Sequence, residues 1–411
     1  MRYLALLVLI AVGCSAKPVR FAQYNASLYR SAQGELIEDL STPDDEQAQA
    51  VAAVIQEIRP DVLLVNEFDW DADGRAADLF RENYLQVSQG GREPIEYPYV
   101  YVAESNTGIP SGHDLNNDGT TGGELGTRAY GNDALGYGTF PGQYSFILLS
   151  KHRLMIGGER TFAEVRWKEV EVAGERKGRS ITFVGPPESF YESAELKDFR
   201  LSSKNHVDLP ILINNRWVRT LLSHPTPPGF DGDEDRNGRR NHDEIAFWSA
   251  YVPANARELR ENDALGLPAM PLERFYDHPI APFEMADQRM APFIVMGDLN
   301  ADPVDGGSIP GAIDQLLDHP RVQDPRPRSE GGAAAAVRQG GVNADHRGDP
   351  ALDTGDFSDN RVGNLRVDYV LPSVDLEVVD SGVYWPADGQ GLELVEKASD
   401  HRLVWVDVIV K

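Results

Sequence analysis

Short apolar runs bounded by polar, glycine or proline residues recur along the whole chain. They fall at residues 19–24, 62–65, 144–149, 180–184, 206–213, 217–222, 293–296, 366–370 and 403–409. Runs of this length and β-branched content predict strands. Asn214-Asn215, between two of them, predicts a two-residue hairpin. Apolar positions at helical spacing predict helices over 44–58, 75–84 and 242–262. The first begins with the helix-start signal Thr42-Pro43-Asp44-Asp45. Strands and helices mixed in this order predict an α/β protein of two packed sheets with flanking helices. No internal repeat is visible.

Three stretches break the pattern. Residues 90–142 are rich in Gly, Asn and Asp, 261–292 are rich in proline, and 320–363 are polar around an alanine run at 333–336. Loops this long are functional or disordered. Strands predicted to share one core lie on both sides of each, so residues 17–411 read as a single domain with insertions.

Composition narrows the function. A chain of 411 residues with 41% hydrophobic content can bury a large core. Its formal charge of −26 disfavours tight nonspecific DNA binding. It leaves room for a phosphate substrate wherever cations sit in the site. Arg2, the apolar run 4–12 and the small residues Gly13, Cys14, Ser15 and Ala16 read as a secretion signal over 1–16. The run is too short to span a bilayer. Cleavage after Ala16 would release a soluble protein. Cleavage before Cys14 would leave a lipid-attached cysteine, since Ala11-Val-Gly-Cys14 is similar to a bacterial lipobox. The protein is therefore expected to be exported, as a secreted, periplasmic or outer-membrane lipoprotein. Cys14 is the single cysteine, so the mature body has no disulfide. Nothing implies a protein partner.

The chemistry gathers at strand ends. After the apolar run 293–296, Gly297 breaks the pattern and Asp298 and Asn300 follow two residues apart. Side chains at i and i+2 of a strand share a face, and ligand sites form at the carboxyl ends of such strands. A carboxylate can orient or deprotonate a water, and an amide can donate to an oxyanion. The plain alternative is a polar turn. Asn25 ends the first strand. Glu67 directly follows the second, where a buried acid needs a counter-charge or a metal. His224 ends another strand before Pro225 and suits a phosphate oxygen. Asp400 and His401 are adjacent, so one could bind metal while the other faces substrate. Asp368 sits among apolar strand residues and needs a partner, most naturally a histidine whose tautomer it fixes. Taken singly, these also read as turn residues, salt bridges or structural histidines.

Taken in order, Asn25, Asn66-Glu67, Gly142-Gln-Tyr-Ser-Phe-Ile-Leu-Leu-Ser150, Ser223-His224, Gly297-Asp-Leu-Asn-Ala-Asp302, Val367-Asp-Tyr-Val370 and Ser399-Asp-His401 resemble the endonuclease/exonuclease/phosphatase superfamily. That superfamily includes DNase I-like nucleases, sphingomyelinases and inositol phosphatases. The resemblance implies a four-layer α/β sandwich and metal-dependent hydrolysis of a phosphate ester, a phosphodiester first. It makes Glu67 the main Mg2+ (or Mn2+) ligand, with Asn25 and Asp400 nearby. Asp298 would orient or activate the water, and Asn300 and His224 would hold phosphoryl oxygens. His401 would stabilise the transition state or move a proton, oriented by Asp368. One departure stands out. Some nucleases place an acid before the tyrosine-containing strand to pair with the first histidine, and here Gly142 and Gln143 occupy that place.

Other readings stay open. A phosphomonoesterase would use the same centre. A sphingomyelin phosphodiesterase would need an exposed aromatic hairpin, for which Phe190, Tyr191 and Phe199 are the candidates. A noncatalytic calcium-binding extracellular module is the alternative of another class. Asp233-Glu-Asp235-Arg-Asn237-Gly238 with Glu244 fits the twelve-residue calcium loop, with oxygen ligands at alternate positions and a closing glutamate. Asp114-Leu-Asn116-Asn-Asp118-Gly119 repeats its first half. Structural Ca2+ is expected at these loops. Arg240 and Asn241 are alternatively expected to face the substrate phosphate.

Overall fold

The computed structural model describes residues 16–171, 175–176, 179–255 and 290–411. Cys14, most of the expected signal segment and most of the 261–292 stretch lie outside the described residues.

The apolar runs form the strands of two mixed sheets. In the first sheet are β1 (Val19–Leu28), β2 (Val62–Phe68), β3 (Tyr99–Val102) and β4 (Phe146–Ser150). In the second are β5 (Arg153–Leu154), β6 (Arg160–Thr161), β7 (His206–Ile213), β8 (Arg216–Ser223), β9 (Phe293–Asp298) and β10 (Asp368–Pro372). The chain then returns to the first sheet with β11 (Glu377–Val383) and β12 (Val404–Ile409). The first sheet runs β11-β12-β1-β2-β4-β3, and the second runs β10-β9-β8-β7-β5 with β6 also pairing to β7. β1 is parallel to β2, and β8 is parallel to β9. All four end at the same side of the sandwich.

Alternation along the strands separates two cores. Val218, Leu222, Ile294 and Met296 turn toward the first sheet and meet Phe21, Leu64 and Val406 there. Their neighbours Leu221, Phe293 and Val295 turn outward and pack under Ile245, Phe247 and Trp248 of α2 (Arg236–Tyr251). On the far side, α1 (Glu46–Ile58) and α3 (Gly389–Ala398) cover the first sheet. The layers are therefore helix, sheet, sheet, helix. α1 starts where the sequence signals it, because the Asp45 carboxylate accepts the Ala48 N–H at 2.7 Å. Asn214 and Asn215 both take left-handed backbone, φ 51° and 61°, as a tight hairpin demands.

Three expectations need correcting. Residues 181–184 form no strand, because their backbone bonds to side chains instead. The Val184 N–H donates to Asp243, and Arg239 of α2 donates to the Val184 carbonyl. The 320–363 stretch is ordered around a helix, Glu330–Gln339, capped by Ser329. Its Gly331 is required by close approach, since an added Cβ would lie 2.0 Å from the Trp385 carbonyl oxygen. α2 begins at Arg236, six residues before the expected start at 242.

A buried histidine ties α2 to the second sheet. His206 Nε2 lies 2.8 Å from the Glu244 carbonyl oxygen, and Nδ1 lies 2.6 Å from Ser202 Oγ. A carbonyl only accepts, so Nε2 carries a proton, and in the neutral ring Nδ1 accepts from the Ser202 hydroxyl. Burial lowers its pKa from 6.5 to about 4. The unfolded chain therefore takes up a proton first as pH falls, and the native state loses ~3 kcal/mol across that window. Unfolding midpoints should drop between pH 7 and pH 4.5, and more shallowly in His206→Asn. Identical pH slopes for the two proteins in urea titrations would contradict this.

Candidate active site

Asp298 ends β9 in the buried space between the two sheets, 1% exposed. It collects donors from both. Asn25 Nδ2, in β1 just before its irregularity, donates to Asp298 Oδ2 at 3.0 Å. His224 Nε2 follows β8 and lies 3.4 Å from the same oxygen. His401 Nε2, just before β12, lies 3.7 Å from it. The Asn300 N–H donates to Asp298 Oδ1 at 3.0 Å. Asp298 and Asp368 are direct cross-strand partners, and His401 Nδ1 pairs with Asp368 Oδ2 at 2.9 Å. The expected Asp368–His401 pair is therefore present.

Gly297 makes the approach between β8 and β9 possible. A Cβ there would lie 2.2 Å from the Ser223 carbonyl oxygen. Any side chain would push His224 away from Asp298. Glu67 and Asn300 are held in left-handed backbone, φ 57° and 52°. Such strain in residues with side chains is characteristic of functional positions.

The protonation states follow from the contacts. Burial raises the Asp298 pKa, but His401, His224 and Asn25 outweigh it and hold the carboxyl well below the usual range. Burial opposes a charge on His401, yet Asp368 and Asp298 hold it as an imidazolium far above 6.5. His224 goes the other way. Burial and the charge of Lys204 lower it to about 4, so it is neutral. Its Nδ1 has no partner among the described residues. Gln143 does not supply one, since it donates to the Arg30 carbonyl and accepts from Thr139.

Glu67 carries the excess charge. Burial raises its carboxyl pKa to about 7, with His401 and the Asn25 amide acting against the shift. Glu67, His224 and Asp298 present ligand atoms within 4.8 Å of one another, as do Asp298, Asp368 and His401. Carboxylates with imidazole suit a hard or borderline divalent cation. A carboxylate short of donors and pushed toward neutrality is relieved by such an ion, so these residues fit one.

Other expected residues lie elsewhere. Asp400 is exposed and accepts from Ser27 Oγ at 2.9 Å, outside both groups. Asn25 Oδ1 accepts the Ser27 N–H at 3.1 Å, so its side-chain nitrogen, not its side-chain oxygen, faces the cluster. Asn300 Nδ2 donates to the Pro225 carbonyl at 3.1 Å, which uses one of its two N–H groups.

The calcium loop at 233–244 is not closed. α2 starts at Arg236, so Asn237 and Glu244 leave from a helix. The buried Glu244 accepts from the Ser203 and Thr226 N–H groups, at 2.6 and 2.7 Å. Asn237 Nδ2 donates to the Gly229 carbonyl. Asp233 and Asp235 stay exposed. In the other loop Asp114 accepts the Asp118 and Gly119 N–H groups, and Asn116 donates to Asp118, so the turn satisfies itself. None of these acids joins two other His, Asp or Glu side chains in a ligand-sized group among the described residues. Arg240 and Asn241 are buried and spend donors on backbone. Arg240 donates to the Leu135, Arg200 and Leu201 carbonyls, and Asn241 to those of Thr226 and Leu299. Tyr191 and Phe199 are buried under α2, which removes the expected aromatic hairpin.

Sequence reasoning missed Lys204. It is 6% exposed, and its ammonium has no hydrogen bond or ion pair among the described residues. Burial lowers its pKa, while Glu244, Glu67 and Asp298 act to raise it. A cation so placed is open to an anionic ligand.

Arg240→Met should destabilise the fold by about 3–5 kcal/mol, because it strands three carbonyls and uncovers Glu244. KM for any phosphate ester should stay unchanged. A raised KM without loss of stability would return Arg240 to the substrate.

No curated protein matches the chain. Solved structures similar to it include an endonuclease/exonuclease/phosphatase from Beutenbergia cavernae, at 16% identity and TM-score 0.45, covering 96% of this chain and 72% of that one. A family protein from Leptotrichia buccalis is 13% identical at TM-score 0.44, over 95% and 99% of the two chains. The Bacteroides thetaiotaomicron mannosyl-6-phosphatase is 12% identical at 0.43, over 95% and 100%. The model of the Endonuclease/Exonuclease/phosphatase family matches residues 22–401, from within β1 to His401, so the chain belongs to that family.

Proposed function

We propose that this protein hydrolyses phosphate esters, phosphodiesters first, by attack of a water oriented at Asp298. The observation that carries the reading is the shared position of Asp298, a member of both groups able to hold a cation. Phosphoryl transfer asks for positioning and charge neutralisation more than for covalent chemistry. A divalent cation, held by Glu67 with Asp298 and His224 beside it, would neutralise phosphoryl oxygens and acidify a water. The chain's own residues supply the rest. The Asp298 carboxylate is too acidic to store a proton at neutral pH, so it aligns the water by accepting from it. The His401 imidazolium, fixed by Asp368, donates to the oxygen on which charge develops. Lys204 and the free Asn300 N–H hold the nonbridging oxygens.

The export and possible lipid anchor expected from residues 1–16 belong to this proposal. No helix of the described residues is long and apolar enough to cross a membrane.

Hydrolysis of bis-p-nitrophenyl phosphate should require Mg2+ or Mn2+ and vanish with chelator. Glu67→Gln and Asp298→Asn should each lower kcat/KM by roughly 10²–10⁴-fold, the scale of removing a catalytic charge. Full metal-dependent activity of either variant on every diester and monoester tested would overturn the proposal. Lys204→Met should lower kcat/KM by about 100-fold. Its Mg2+ affinity by calorimetry should hold or rise, because a repelling charge is removed. Weaker Mg2+ binding would instead place Lys204 in the support of the cation site.

A further inference from the structure

Three tyrosines that this chemistry does not use form a row at the edge of the cluster. Tyr29 follows β1, Tyr144 precedes β4 and Tyr137 comes from the loop before it. The Tyr29 and Tyr144 ring centroids are 4.6 Å apart with planes at 48°. Those of Tyr144 and Tyr137 are 6.5 Å apart at 31°. Tyr29 is 39% and Tyr137 46% exposed, so the row has faces open to water. It also adjoins the phosphate end of the site. Phe68, beside Glu67, donates its N–H to the Ser145 carbonyl, beside Tyr144. Behind burial, the Glu67 carboxylate is the leading charge that raises the pKa of the Tyr29 hydroxyl.

Buried polar groups hold the row in place. Asp69, 6% exposed, accepts the Arg30 N–H at 2.7 Å and the Tyr144 N–H at 3.1 Å. It thereby ties the residue after Tyr29 to Tyr144. Gln143, 2% exposed, donates to the Arg30 carbonyl at 2.7 Å and accepts the Thr139 N–H at 2.7 Å, which brings in the Tyr137 loop. Tyr144 itself is held at φ 60°. A staple between loops would explain the ties. It does not explain why two of the three rings stand open beside a phosphate site.

We propose that Tyr29, Tyr144 and Tyr137 form the subsite for a nucleobase carried on the nonleaving side of the phosphodiester. The inference rests on the phosphoesterase reading and adds the substrate class. Phenol faces stack on any flat ring and tolerate different bases. Acyl chains seek aliphatic walls, whereas this row is built of phenol rings. The formal charge of −26 repels polyanions, so small nucleotide diesters suit the site better than duplex DNA.

Two esters with the same leaving group test this: thymidine 5′-(p-nitrophenyl) phosphate and methyl p-nitrophenyl phosphate, each assayed with Mg2+ and Mn2+. The wild type should show a KM for the thymidine ester about tenfold below that for the methyl ester. Tyr29→Ala and Tyr137→Ala should bring the ratio toward one. Tyr99→Ala should keep it, because Tyr99 is equally exposed but pairs with Ser150 at the other end of β4. A wild-type ratio near one, or a ratio unmoved in Tyr29→Ala and Tyr137→Ala, overturns the subsite and leaves the hydrolysis reading intact. If neither ester is cleaved, the hydrolysis reading falls, and binding of thymidine 5′-monophosphate decides the subsite by tyrosine fluorescence. Quenching that is lost in Tyr29→Ala supports the row, and no quenching, or equal quenching in both proteins, overturns it.

Discussion

One buried anion organises this molecule. Asp298 stands between two sheets with its charge out of water, and a lone carboxylate there would be intolerable. Donors from both layers answer it, with Asn25 from the first sheet and His224 and Asn300 from the second. His401, entering the last strand of the first sheet, adds the positive charge. Because these donors come from separate strand ends, the sheets must meet in one register for the carboxylate to be satisfied. The same contacts that hold the sandwich at this end fix the chemistry.

Charge is graded across the site. His401 is kept cationic by two carboxylates, while His224, a few ångströms from the same Asp298, is kept neutral by burial and by Lys204. Two imidazoles with opposite protonation flank one anion. Glu67 remains under-compensated, and this imbalance gives a divalent cation a reason to bind.

The strands and the central residues were legible because they follow a period that the sequence displays. Asp298, Asn300, Glu67, His224 and His401 each follow or precede an apolar run, so their placement at strand ends could be read directly. The acidic loop misled because its spacing matches a calcium loop, while the helix that begins at Arg236 carries Asn237 and Glu244 elsewhere. The spacing says nothing about where a helix starts. Lys204 could not be read, since it lies in the polar run Ser202-Ser-Lys-Asn-His206, and only the fold shows that the run is buried. The tyrosine row was equally hidden. Its members come from two loops, and their proximity depends on Asp69 and Gln143 bonding to backbone far away in sequence.

The first and last strands of the first sheet lie side by side, with Val19 opposite Val408. Asn25 and His401, 376 residues apart in the chain, therefore touch within one centre. A chain that has emerged from the ribosome only as far as its second sheet has every strand end that holds Glu67, His224 and Asp298, yet no imidazolium to offset them. The centre is therefore complete only where the first and last of these strands are paired.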